Sequence, residues 1–139
     1  MYKPQELVEV VIKDPNNRIY VELSFIWSDI RIFWWFREEN EDPIDTAIRE
    51  LYDFYWIKFT KKDLKLVENT KDFKKNYIWI NKSYLYTLKV SKEVMEIILA
   101  NEYICGKAFK IEDLEWLNIF PFAMGGNVLQ KIEKALEIT

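Results

Sequence analysis

EENEDPIDTAIRELYDFYWI, residues 38–57, is the stretch that decides the fold prediction. Asp42 precedes Pro43, an order typical of a helix start, because aspartate can cap free backbone N–H groups and proline fits the first helical position. Asp45 adds a carboxylate near the positive end of the helix dipole. Apolar side chains then recur every three or four residues, at Ile44, Ala47, Ile48, Leu51 and Tyr55. This spacing predicts an amphipathic helix over about residues 43–55.

The opposite face of this helix is charged. Arg49, Glu50 and Asp53 lie there, and the two acids are neighbours because they are three residues apart. Three more carboxylates approach from the preceding loop, at Glu38, Glu39 and Glu41. Clustered carboxylates are ligands for hard divalent cations. The same spacing also occurs on the solvated face of an ordinary amphipathic helix, and spacing alone favours that interpretation.

The stretch resembles the Nudix box, a loop–helix–loop motif written G-x5-E-x7-R-E-U-x-E-E-x-G-U, in which U is a bulky aliphatic residue. The matching residues are Glu41, Arg49, Glu50, Leu51 and Ile57. Asp53 replaces the first glutamate of the E-E pair with a shorter acid, and Glu38 falls where many members have an acidic residue. The resemblance therefore covers residues 35–57 as a degenerate copy of the box.

Three bulky side chains replace residues on which the motif depends. Phe54 takes the position of the second glutamate of the pair, and a phenyl ring offers no oxygen to a cation. Trp35 stands at the first glycine, where a large side chain disfavours the tight backbone bend that glycine permits. Trp56 stands at the closing glycine, and we expect it to prevent the usual glycine stop of the helix.

Strands are predicted on both sides of the helix. Residues 7–12 and 18–25 are rich in valine, isoleucine and aromatic residues, and the turn sequence DPNN between them predicts an antiparallel hairpin. Further strands are predicted at residues 30–36, 64–68, 77–80, 84–90 and 103–109. Residues 91–100 fit either a helix capped by Ser91 or the end of a strand. A helical turn is predicted at 112–117 and a final helix at about 127–137, with Val128, Leu129, Ile132 and Leu136 on its buried side.

This order of strands, helix, strands and C-terminal helix predicts an α+β fold with helices on a mixed sheet. The order also resembles that of the Nudix fold, which implies an α/β/α sandwich formed by residues 1–139 as a single domain. A second segment carries the same resemblance: NEYICGKAFKIEDL, residues 101–114, is similar to the late E-x(n)-W/F-hydrophobic-E-E/D-L segment of the family. The two segments are about fifty residues apart and in the family's order.

Composition excludes several kinds of chemistry. The chain has no histidine, which removes Ser-His and Cys-His catalysis and imidazole metal sites. Its single cysteine, Cys105, excludes an internal disulfide and fits a reducing compartment. No leader is recognisable and no apolar run approaches the roughly 20 residues that cross a bilayer, so we expect a cytoplasmic protein without a membrane partner.

Charge is unevenly distributed along the chain. The net charge of −3 argues against generic nucleic-acid binding, but residues 61–82 contain a run of lysines. Such a run could attract RNA phosphates. The favoured interpretation is a solvated sheet edge that discourages aggregation.

The resemblance implies a reaction and the residues that would perform it. Family members cleave a nucleoside diphosphate linked to another group, with Mg²⁺ or Mn²⁺ and an activated water. By that analogy Glu50, Asp53 and Glu102 would be catalytic. A weakly held metal would lie on Glu50, Asp53 and Glu41. Arg49 would form a bidentate pair with Glu41 or Glu38 and complete the binding group.

Two function classes follow, and the first is favoured. Replacements at Phe54, Trp35 and Trp56 predict little or no pyrophosphohydrolase activity, and hence a non-hydrolytic domain that binds a nucleotide, RNA or a protein. The alternative is a divergent magnesium-dependent nucleoside diphosphate-X (NTP) pyrophosphohydrolase. The six Trp, eight Tyr and nine Phe residues supply rings that could stack on bases or form an interface, including that of a homodimer. Most of these rings are expected in the core.

Overall fold

The computed structural model describes residues 5–24, 29–75, 78–101, 106–114, 122–123 and 126–138. The longer strands are β1 (Gln5–Lys13), β2 (Arg18–Ser24), β3 (Asp29–Arg31), β4 (Phe33–Phe36), β5 (Leu64–Lys75), β6 (Ile78–Lys89) and β7 (Gly106–Lys110). The helices are α1 (Pro43–Tyr55), α2 (Lys92–Leu99), α3 (Ile111–Leu114) and α4 (Val128–Ile138). Two short strands, β8 (Phe122–Ala123) and β9 (Gly126–Asn127), pair with each other. No helix in these ranges is long and apolar enough to span a membrane.

Strand β1 lies at the centre of a mixed sheet. It runs parallel to β6 and antiparallel to β2 and β4. The path across the sheet is β3-β2-β1-β6-β5, with β7 paired to β2. The predicted hairpin between β1 and β2 is confirmed. Its turn is closed by Asp14, whose Oδ1 accepts the backbone N–H groups of Asn16 and Arg18, both at 2.9 Å.

Helices cover both faces of this sheet, because alternate side chains of the central strand point to opposite sides. On one face, Val8, Val10 and Ile12 pack against residues of α1 and α2. On the other face, Val11 packs in a cluster with residues of α3 and α4. The mixed sheet between two helical layers confirms the predicted fold class.

An ion pair lies between the sheet and α4. Glu9 of β1 and Lys131 of α4 are both buried, at 1% and 6% exposure, and Lys131 Nζ donates to Glu9 Oε1. The hydroxyl of Ser83 donates to the same oxygen at 3.3 Å. Burial raises the pKa of the Glu9 carboxyl, while the nearby Lys131 charge opposes that rise. Nothing in the sequence reasoning predicted this pair.

Several elements have the predicted positions. Helix α1 covers residues 43–55 as expected. Residues 91–100 form α2 rather than a strand end, and Ser91 Oγ accepts the Val94 N–H at 3.1 Å. The final helix starts one residue later than predicted, with Ile132 buried and Leu136 packed at the edge of its cluster. The side chains of Val128 and Leu129 lie outside the described residues. The predictions at 103–109 and 112–117 are covered only in part, by β7 and α3.

Four strand predictions were wrong in their bounds. The single strand expected at 30–36 is two strands, because β3 pairs with β2 whereas β4 pairs with β1. The strands expected at 77–80 and 84–90 form one strand, β6, which pairs with β5 along nearly its whole length. Strand β5 itself extends to Lys75. Polar residues were expected to end the strand at residue 68. They do not end it, because β5 is an edge strand and an edge accommodates charged residues.

Candidate functional site

The loop before α1 is held in place by Arg37. Its Nε donates to Glu6 Oε2 of β1 at 2.6 Å, and its Nη1 donates to the backbone oxygen of Glu41 at 2.9 Å. The tight bend of this loop is at Asn40, whose φ is 63°. Trp35 remains in the extended backbone of β4. The bend that glycine provides in the motif is therefore made five residues later, by asparagine, which tolerates the left-handed region.

The two ends of α1 differ from expectation. Asp42 occupies the N-cap position, but its side chain makes no capping hydrogen bond within the described structure. At the other end, the expectation that Trp56 prevents a glycine-like stop was wrong. Trp56 adopts φ 62° and ψ 24°, and its N–H donates to the Tyr52 oxygen at 2.8 Å. Its side chain is 82% exposed, so packing of the ring does not oppose this conformation, and the cost is the local one of a Cβ in the left-handed region.

The acidic side chains of the box surround the guanidinium of Arg49. Two of its N–H groups donate to Glu41, from Nε to Oε2 at 2.9 Å and from Nη2 to Oε1 at 3.2 Å. Nη1 donates to Glu50 Oε1 at 2.6 Å. The same Nη1 lies 3.5 Å from Asp53 Oδ2. Arg49 thus forms the bidentate pair with Glu41, and it brings all three predicted metal-ligand carboxylates to one positive charge.

These contacts shift the titration of the site. Hydrogen bonds from Arg49 lower the pKa of the Glu41 carboxyl, and Thr46 Oγ1, which donates to Glu41 Oε1 at 2.6 Å, adds to the effect. Burial raises the pKa of Glu50, although Arg49 and a hydrogen bond from the Trp35 side chain oppose that rise. The indole at the motif's first glycine position therefore acts as a donor to the central glutamate. Sequence reasoning had treated Trp35 only as a steric obstacle.

Phe54 lies in an aromatic cluster beside this acidic group. Its ring packs edge-on against Trp35 at a centroid distance of 5.0 Å and against Phe33 at 6.4 Å. Tyr55 is a further neighbour at 6.3 Å. The backbone oxygen of Phe54 accepts a hydrogen bond from Asn101 Nδ2 at 2.8 Å, which ties the end of α1 to the end of α2. The position of the lost carboxylate is thus filled by packed rings.

The remaining predicted site residues are not brought into this group. Glu38 is exposed, and it contributes its backbone oxygen, not its carboxylate, to contacts with Arg37 and Glu41. Glu102 lies outside the described residues. Of the lysine run, Lys61, Lys62 and Lys65 are exposed. The side chains of Lys71, Lys74 and Lys75 lie outside the described residues. Within the described ranges, no three acidic or cysteine side chains are grouped as a metal site.

Solved structures with the same arrangement are numerous. A mutT/nudix family protein from Listeria innocua is 17% identical and superimposes with a TM-score of 0.67 over 98% of this chain and 94% of its own. The NUDIX domain of Shewanella oneidensis NrtR, solved with ADP ribose, is 15% identical with a TM-score of 0.70 over 99% and 90%. The Ap4A hydrolase of C. elegans is 18% identical with a TM-score of 0.61 over 96% and 99%.

The chain has the Nudix fold.

Sequence comparison alone does not show this fold: no family model and no curated protein matches the chain. The superpositions establish the Nudix fold, and identities this low leave the activity open.

One buried polar group of this Nudix fold was missed by sequence reasoning. The hydroxyls of Tyr20 in β2 and Tyr55 in α1 are 2.6 Å apart, and Tyr20 also donates to Glu22 Oε1 at 3.3 Å. Burial raises the pKa of Glu22 to about 7. Gly106 of β7 is needed beside Tyr20, because a Cβ there would lie 2.4 Å from the ring. The residues are far apart in sequence, so no local pattern could have indicated the contact.

Proposed function

We propose that this Nudix-fold chain, residues 1–139, is a single cytoplasmic domain that binds a nucleotide, RNA or a protein without hydrolysing it. The observation that carries the proposal is the position of Arg49. Its guanidinium contacts Glu41, Glu50 and Asp53, and so supplies from within the protein the positive charge that a metal ion would bring. The guanidinium offsets one of the three carboxylate charges and occupies oxygens of Glu41 and Glu50 that a cation would need, which weakens the attraction for a metal ion.

The donor set fits Mg²⁺ or Mn²⁺ poorly. Mg²⁺ requires near-octahedral oxygen coordination. Glu50 is buried and already accepts hydrogen bonds from Arg49 and Trp35, and Phe54 offers no oxygen. Asp53 is 55% exposed and its carboxylate lies 3.5 Å from the Arg49 guanidinium, but one exposed carboxylate is a weak site. We therefore expect millimolar affinity at best.

The alternative function is a divergent magnesium-dependent pyrophosphohydrolase. The observation in its favour is that Glu41, Glu50 and Asp53 still converge, although on Arg49 rather than on each other. A rotation of the guanidinium would expose them to a ligand. Glu102 would then be the additional catalytic carboxylate of this hypothesis.

Manganese titration followed by electron paramagnetic resonance separates the two functions. Wild-type protein is expected to show no site tighter than millimolar and to release no phosphate product from a panel of nucleoside-diphosphate derivatives. Phe54→Glu should gain manganese affinity, because it restores a carboxylate one turn from Glu50. Phe54→Leu is the matched control, since it removes the same ring and adds no charge.

Hydrolysis by the wild-type protein that is abolished in Glu50→Gln would overturn the proposal and establish the enzyme. If Phe54→Glu folds and gains no manganese affinity, the alignment of α1 with the box is wrong. For the binding function, neutralising Lys61, Lys62 and Lys65 together tests the lysine run. Weaker RNA or partner binding would support its involvement, whereas unchanged affinity would remove it.

A further inference from the structure

A groove runs between the C-terminal ends of α1 and α2. Its volume is about 510 Å³, and its lining includes Asp53, Phe54, Trp56, Ile97, Ala100 and Asn101. The hydrogen bond from Asn101 to the Phe54 oxygen closes the floor between the helices. The groove adjoins the acidic group around Arg49 through Asp53, but its walls are mostly apolar.

The rim of the groove is unusually apolar for an exposed surface. Four large apolar residues are exposed among those that the structure describes, and two of them line the groove: Trp56 and Ile97, at 82% and 53% exposure. A third, Tyr52, is 47% exposed and adjoins Trp56. Tyr52 and Trp56 are one helical turn apart, with ring centroids separated by 6.5 Å and ring planes inclined at 42°. The two rings therefore form an open aromatic wedge on the surface. Such concentrated apolar exposure is typical of an interaction site.

The electrostatics of the groove favour a cation. Helices α1 and α2 both end here, and neither has a basic residue in its last turn, so no charged side chain of these turns offsets the negative helix ends. The carboxylate of Asp53 adds a formal charge and is 55% exposed. The contact between Asp53 and Arg49 is 3.5 Å long and leaves Asp53 open to a second partner.

We propose that this groove binds an arginine side chain of a protein partner. A planar guanidinium can stack on the indole of Trp56 and on Tyr52, and its N–H groups can pair with the Asp53 carboxylate. Trp56 lines the groove and is 82% exposed, so its indole is open to a partner. This inference rests on the proposed function, because an active metal site beside Asp53 would already hold a cation.

The test is a nuclear magnetic resonance titration in metal-free buffer containing a chelator. The probe is the blocked tripeptide Ac-Gly-Arg-Gly-NH₂, and its control is the same peptide with citrulline, which has nearly the same shape and no charge. Resonances of Tyr52, Trp56 and Ile97 are expected to shift with the arginine peptide and not with the citrulline peptide. Peptides with several arginines should bind more tightly at the same resonances.

Variants locate the interaction. Trp56→Gly, which retains the left-handed backbone without strain, should weaken binding by about two- to fivefold, the range of an exposed cation–π contact. Trp56→Phe should weaken binding less, because it keeps a ring, and Asp53→Asn should weaken it at unchanged shape. Lys58→Gln is the matched control, since it alters charge two residues from Trp56 and should not lower affinity.

Three results would overturn the inference. The first is an equal response to the arginine and citrulline peptides, and the second is an unchanged arginine affinity in Trp56→Gly. The third is a shift of the same resonances by an RNA oligomer and none by the arginine peptide, which would assign the groove to nucleic acid. None of these involves metal binding or hydrolysis, so failure here is distinguishable from failure of the proposed function.

Discussion

Replacing Trp56 by glycine tests how α1 ends. The left-handed backbone of Trp56, φ 62° and ψ 24°, costs a residue with a side chain about 1–2 kcal/mol and costs glycine almost nothing. Glycine in turn loses about 0.5–1 kcal/mol because its unfolded chain is more flexible. Trp56 is 82% exposed, so roughly 40 Å² of it is packed, which contributes about 1 kcal/mol at 25 cal/mol per Å².

These contributions nearly cancel, and we expect the free energy of unfolding of Trp56→Gly to lie within about 1 kcal/mol of the wild-type value. Trp56→Ala is the informative control, because it loses the same ring but keeps a Cβ in the left-handed region. It should be less stable than the glycine variant by about 0.5–1 kcal/mol, or about 2–4 °C in Tm. Urea unfolding followed by circular dichroism measures the free energy of unfolding of both variants, and thermal unfolding measures their Tm. An alanine variant as stable as the glycine variant would refute the reasoning.

Three further predictions concern charged groups. Lys131→Met leaves Glu9 buried without its cation and should destabilise the fold by about 3–5 kcal/mol in urea unfolding, whereas Lys131→Met combined with Glu9→Leu should recover most of that loss. The pKa of Glu22 is about 7 in the folded chain and 4.5 ordinarily. Between pH 4.5 and pH 7 the folded chain therefore keeps a proton on Glu22 that the unfolded chain releases. This group makes the free energy of unfolding fall as the pH rises through that range. Glu22→Gln should flatten that part of the stability–pH curve, and an unchanged slope would refute the assignment. Arg49→Met should raise the carboxyl pKa of Glu41, measured by carbon-detected titration, because Arg49 is the main group lowering it.

The features that the sequence predicted well are those with local signals. Pro43 after Asp42 defines the start of α1, and DPNN defines the first turn. Ser91 indicated a helix start as one of two interpretations of residues 91–100, and the structure has the helix. Each of these signals acts within about four residues, so neighbouring residues are enough to interpret it. The bidentate pair of Arg49 with Glu41 spans eight residues, and it was anticipated through the motif rather than through periodicity.

The features that sequence reasoning missed depend on long-range packing. Trp35 reaches Glu50 only because β4 lies beside α1, and the Tyr20–Tyr55 pair joins residues 35 positions apart. No local pattern indicates which side chains will meet across a sheet. The error at Trp56 had another cause. Backbone preference was treated as a prohibition, although a cost of about 1–2 kcal/mol is one that the rest of a fold can outweigh.

The pairing of Glu9 with Lys131 joins the first strand to the last helix, 122 residues apart. Apolar contacts such as those of Ile132 and Ala135 are not directional, whereas the ion pair requires Lys131 to face the Glu9 carboxylate. The pair therefore specifies the orientation in which α4 packs on the sheet. Before α4 docks, the Glu9 carboxylate lacks this partner, so docking of α4 and burial of the acid depend on each other.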